Sequence, residues 1–143
     1  MGIIKDIYDA TKNIAQNQIA ISNIRNELRD EIKLNLQFLK SIDVGKGLPR
    51  ERIKQITGNL QIVEMIDFLV CPFPKSIIST RRVSQSILGN IKAKYLLGQN
   101  LEETCRRTRH MIKYLKLDFD AAKDPKSTLL YIKKYFRVAL KLL

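Results

Sequence analysis

Residues 3–42 read IIKDIYDATKNIAQNQIAISNIRNELRDEIKLNLQFLKSI and hold neither Gly nor Pro. Ile7, Ile14, Ile21 and Leu28 form one row at seven-residue spacing. Ile3, Ala10 and Ile24 form a second row, interrupted by Asn17 and Glu31. Beyond Leu28 the apolar row steps by four to Ile32 and Leu36, then by three to Leu39 and Ile42. This is the period of a helix with a stutter, not the alternation of a strand. At 1.5 Å rise per residue such a helix spans roughly 60 Å, whereas helices of globular proteins average about 11–12 residues. It must either break near its Asn-rich middle or lie against several shorter helices or a second copy of itself.

Outward from that stretch the chain continues as amphipathic segments between clear breakers. Val44-Gly45-Lys46-Gly47-Leu48 is the best internal boundary. Its two glycines make residues 44–48 either a hinge or, on the preferred reading, a tight interhelical loop. Pro49 suits a first helical turn. The helix behind it carries Ile53, Ile56, Leu60, Val63 and then Met65 to Leu69, and its nearly all-apolar end is expected to be buried on more than one side. Cys71-Pro72-Phe73-Pro74 ends it, with Phe73 as a plug for the bundle end. A third helix is expected from residues 75–80 to Leu97, capped by Ser76 or Ser79 and closed by Gly98.

Asn100 is placed to cap a fourth helix, with Glu103 in the capping-box position. Its inward row is Leu101, Thr104, Cys105, Thr108, Met111, Ile112 and Leu115. Glu102 with Arg106, and Glu103 with Arg107, stand at i,i+4. Asp124-Pro125 marks the start of the last helix. The expected fold is therefore all-α: an antiparallel bundle of four to five helices with a long N-terminal helix, in a single helical domain over residues 1–143. The overhang of the first helix makes Ile7, Ile14 and Ile21 the expected surface for homo-oligomerisation or for a partner helix.

Composition excludes several classes. A chain of 143 residues with 45% apolar content is long enough for a real core and too apolar for disorder. No apolar run approaches the roughly 20 residues of a transmembrane segment. The N-terminal residues lack a secretory pattern, and Asp6 stands where a myristoylation signal needs Ser or Thr. The expected location is cytoplasmic. Two cysteines, Cys71 and Cys105, and a single histidine, His110, cannot make a zinc site or CxxC chemistry. None of the six glutamates stands in a Glu-x-x-His pair with His110. Asp118, Asp120 and Asp124 lack the closing Glu of a calcium loop. There is no Gly-rich phosphate loop, and no serine has a histidine base in a recognisable arrangement. The expectation is a protein that is not an enzyme and uses no metal or cofactor.

The charge is more informative. The net charge is +12, and residues 76–143 carry +10 of it. Such a bias bears on partners rather than on fold. Arg106, Arg109, Lys113 and Lys116 follow 3-4-3 spacing along one helix, a stripe that suits successive phosphates rather than base edges. With Arg81, Arg82, Lys134 and Arg137 they are the expected contacts to RNA, DNA or another polyanion, with strongly salt-dependent binding. Two alternatives stand beside this. One is a helical adaptor or oligomeric scaffold, its charge steering an acidic protein partner. The other is peripheral membrane contact through the N-terminal helix or the basic amphipathic residues 131–143, a segment that also reads as an ordinary core-packing last helix.

Overall fold

The computed structural model of the chain describes residues 3–42 and 47–143, with side chains from Gln18 onward. Residues 43–46, most of the expected boundary, lie outside the described residues, as do the side chains of Ile7 and Ile14. The fold is all-α. Six α-helices occur among the described residues: α1 (Ile3–Phe38), α2 (Arg50–Asn59), α3 (Val63–Val70), α4 (Gln85–Leu88), α5 (Leu101–Leu117) and α6 (Pro125–Leu142).

The long first helix does not break. α1 runs to Phe38 and tightens into a 3-10 turn at Leu39–Ser41. It lies against α3 and α6. Among its described side chains the fully buried ones are Leu28, Ile32 and Asn35, followed by Leu39 in the 3-10 turn, while Ile21 and Ile24 pack partly against the core. Ile19, one turn earlier, faces solvent.

Residues 49–70 form two helices where the apolar pattern predicts one. The chain leaves helical geometry at Leu60 (ψ 135°) and re-enters it after Ile62. No Gly or Pro stands at the break, so its cause lies in partners supplied from elsewhere. The fully buried Asn35 of α1 donates from Nδ2 to the Gln61 carbonyl at 2.6 Å, and its Oδ1 accepts the Gln61 N–H at 2.9 Å. One turn earlier, the buried Glu31 carboxylate accepts the N–H groups of Glu64 at 2.7 Å and Met65 at 3.2 Å. Lys116 Nζ of α5 donates to the Leu60 carbonyl. A helix start has orphan N–H groups, and α3 has no side-chain cap of its own. Glu31 serves as that cap from 33 positions away. The expectation that this end is buried on several sides holds only in part. Met65, Phe68 and Leu69 are buried, but Val63 and Val70 are exposed.

The expected third helix is not formed. Residues 75–97 instead contain two 3-10 turns, Lys75–Ile77 and Lys94–Leu96, and the single turn of α4. Hydroxyl side chains compete for the backbone here. Ser84 accepts the Ile87 N–H at 3.2 Å and caps α4, which ends at Gly89 in a positive-φ conformation (φ 53°) that favours glycine. Ser79 is not a helix cap: it accepts the Arg81 N–H and donates to the Leu142 carbonyl at 2.5 Å. Gly98 (φ 85°) closes no helix. Its N–H donates to the Val83 carbonyl, and the Val83 N–H donates to Gln99, beside an isolated antiparallel bridge between Arg82 and Asn100. Ile78, Val83, Leu88, Ile91, Ala93 and Leu96 still reach the core from this irregular path.

α5 and α6 follow expectation. Asn100 Oδ1 accepts the Glu103 N–H at 2.8 Å, Asp124 Oδ1 accepts the Ser127 N–H at 3.1 Å, and Pro125 opens α6. The predicted inward row of α5 is buried except for the half-buried Met111. α6 returns along α5 after the connection of residues 118–124 and buries Leu129, Ile132, Phe136, Val138, Ala139 and Leu142. Each such fully buried large aliphatic or aromatic side chain contributes about 1.5–3 kcal/mol.

Candidate nucleic-acid interface

Among the described residues, two groups of cations stand out by what their heads touch. One group is spent on backbone carbonyls. Arg25 donates to the Ile77 and Ile78 carbonyls, with its shortest bond at 2.8 Å. Arg50 donates to Phe119 and Asp120 carbonyls and lies 4.9 Å from the Phe119 ring centroid. Lys75 donates to Cys71, Arg81 to Lys141, Arg82 to Gly98, Lys116 to Leu60 and Lys141 to Ile87. The bonds from Arg81 and Ser79 satisfy the last carbonyls of α6, where positive charge also suits the helix dipole.

The second group projects from α5. Asn100 fixes the start of the helix, and the buried row fixes its rotation. That rotation turns Arg106, Arg107, His110 and Lys113 to solvent. Arg106 pairs with Glu102 at 2.7 Å; an exposed pair of this kind contributes only about 0.3–0.5 kcal/mol. Among the described residues Arg107 and Lys113 make no ion pair or hydrogen bond. Tyr114 and Leu117 are exposed on the same helix.

The expected site residues are thus not equivalent. Arg106 and Lys113 reach solvent, Arg109 is half-buried with a buried Nε, and Lys116 is bound to Leu60. Arg81 and Arg82 are exposed with one nitrogen each committed to a carbonyl. Arg137 is exposed on α6, and Lys134 Nζ stands 5.5 Å from the Tyr131 ring centroid. Of the expected oligomerisation row only Ile21 has a described side chain, and it packs partly against the core. Arg82 and Asn100 also line a polar hollow of about 340 Å³ with Lys75, Ser76, Ser79, Thr80 and Glu102, at the start of α5.

Acidic side chains gather elsewhere. Glu27, Asp30, Glu31 and Glu64 line one hollow between α1 and α3. Burial, and then the neighbouring Glu27 carboxyl, raise Glu64 above the ordinary carboxylate value. Among the described residues no three His, Cys, Asp or Glu side chains converge as a metal site, and no helix is long and apolar enough to cross a membrane. Compared with protein-family models, characterised proteins and solved structures, the chain matches none of them.

Proposed function

We propose that the protein binds nucleic acid through phosphate contacts made by the exposed face of α5, extended by Arg82 and by Arg137 on α6. The observation that carries this reading is the unpartnered state of Arg107 and Lys113 beside Arg106 on one solvent-facing helix. Arg106 and Lys113 stand seven residues, roughly 10 Å, apart along the helix with Arg107 beside Arg106, and cations so placed meet neighbouring phosphates and release their counterions. Such contacts position a backbone and carry no base sequence.

Fluorescence anisotropy with single-stranded RNA, single-stranded DNA and duplex DNA at two salt concentrations tests the proposal. Binding should weaken steeply with salt and be lost in Arg107→Glu/Lys113→Glu, whose thermal midpoint should match the native protein. Absence of binding to all three at low salt overturns it. A second reading, a helical scaffold, is favoured by α1 itself: ahead of the fully buried Leu28, Ile19 is exposed and Ile21 and Ile24 pack only partly against the core. That reading calls for a self-association measurement, in which a concentration-independent monomer counts against it.

A further inference from the structure

Tyr95 and Tyr131 expose 49% and 47% of their surfaces, and their rings meet edge to face with centroids 5.9 Å apart. Neither ring is loose. Tyr95 sits in the 3-10 turn Lys94–Leu96, which is anchored by the fully buried Ala93 and Leu96 on either side of it. Tyr131 projects from α6, whose buried face carries Leu129, Ile132 and Tyr135. The buried Tyr135 supports Tyr95 from below at 6.1 Å. Lys134 Nζ lies near the face of Tyr131, Lys94 adjoins Tyr95 in sequence, and both carry positive charge. Beside Tyr131 the surface dips into a hollow of about 250 Å³ lined by Ser127, Leu130 and Lys134. This is below the 300–1,000 Å³ of ordinary ligand sites and suits a single planar group entering from one side.

We infer that Tyr95 and Tyr131 form a base-stacking platform, and that the nucleic acid taken by this protein is single-stranded. The inference rests on the phosphate-binding reading above and names its substrate class. Anchored aromatic rings flanked by cations are what an unpaired base requires: a π-face to stack on and a positive charge for the phosphate next to it. Bases in a duplex are already stacked and paired, and cannot reach a ring fixed on a convex helix surface. A base arriving on Tyr131 displaces the Lys134 ammonium from the ring and leaves it for the adjoining phosphate. Burial, and then Tyr135 and Tyr131, push the Tyr95 hydroxyl up to about 12. It therefore stays neutral and does not repel the strand.

The test compares three oligonucleotides of equal length: a single strand of mixed sequence, an abasic strand with the same phosphates, and a duplex. Stacking contributes about 1–3 kcal/mol per base, so the base-bearing strand should bind at least fivefold more tightly than the abasic one. The chain has no Trp and five Tyr, so stacking should also quench its tyrosine emission. Tyr95→Leu/Tyr131→Leu should remove both effects, and Tyr95→Phe/Tyr131→Phe should keep the affinity difference, which separates ring loss from misfolding. Equal binding of base-bearing and abasic strands, or tighter binding of duplex, overturns this inference and leaves the phosphate reading standing. Failure to bind any of the three overturns both.

Discussion

The Glu31 carboxylate accepts the backbone N–H of Glu64 at 2.7 Å, joining residues 33 positions apart. A side chain that interrupts an apolar row of α1 is thereby the N-terminal cap of α3. Asn35, one turn further along α1, performs the same service for both backbone groups of Gln61. Together they explain why a carboxylate and an amide are buried in a core built mainly of apolar side chains.

Truncating either residue strands part-buried or buried backbone groups, each costing up to about 1–3 kcal/mol. Glu31→Ala and Asn35→Ala should each lower unfolding stability by about 2–4 kcal/mol. Because both act on one break, the double variant should lose less than the sum. Urea unfolding of the three variants measures this, and strict additivity would show that the two caps work independently.

The pH dependence of that cap has a definite sign. Burial raises the Glu31 carboxyl above its unfolded value of 4.5, against the opposing pull of the Glu64 and Met65 N–H groups. The folded chain thus holds this proton more tightly than the unfolded chain. The stability it contributes is fully present below 4.5 and declines as pH rises through the folded value. Asp124 runs the other way. Hydrogen bonds from Ser127 lower its carboxyl, so its contribution is present above 3.8 and is lost as pH falls through the folded value. Relative to Glu31→Gln, the native protein should lose stability as pH rises above 4.5; a gain on that rise would refute the assignment.

Lys113 and Lys116 stand three apart on α5 yet should behave differently. Lys113→Gln should leave the thermal midpoint unchanged and reduce the slope of log affinity against log salt by about 0.7–0.9. Lys116→Gln removes the bond to the Leu60 carbonyl and should lower stability by about 1–2 kcal/mol, with affinity within about twofold of native. Equal loss of binding in both variants would place Lys116 in the interface.

Thiol labelling should separate the two cysteines. Cys105 is fully buried, and burial, followed by the Glu31 charge, drives its thiol well above the ordinary range. Cys71 is half-buried at the end of α3. A charged disulfide reagent should modify Cys71 quickly and Cys105 only at the rate of global unfolding. Fast reaction of both thiols would mean that the core around α5 opens locally.

Parts of this molecule were legible from spacing alone. The inward row of α5, its Asn100 cap and the Asp124-Pro125 start of α6 are local signals, complete within a few residues. The path of residues 75–97 was not, because Val83, Ile87, Ile91 and Tyr95 step by four like a helical row, although of these only Val83 and Ile91 are buried. The competing hydroxyls of Ser79 and Ser84 and the positive φ of Gly89 decide otherwise. The break at residues 60–62 was hidden for another reason: its partners lie on α1 and α5. Charge was readable as a sum only. Nothing local distinguishes Lys116, bound to a carbonyl, from Lys113, which is not. The exposed tyrosines were likewise invisible as a pair, since Tyr95 and Tyr131 meet only after α6 has packed against the irregular segment.

The break between α2 and α3 also orders events in time. Its bonds to α1 and α5 span 26, 33, 34 and 56 residues, so none can form before distant segments have met. Isolated helix turns appear within about a microsecond, whereas encounters across such separations come later and set the folding rate. The amide hydrogens of Gln61, Glu64 and Met65 are bonded to side chains of α1 and not to their own helix. Their exchange with solvent deuterium is therefore a clock for the undocking of the first helix, read at three positions that the helix itself does not contain.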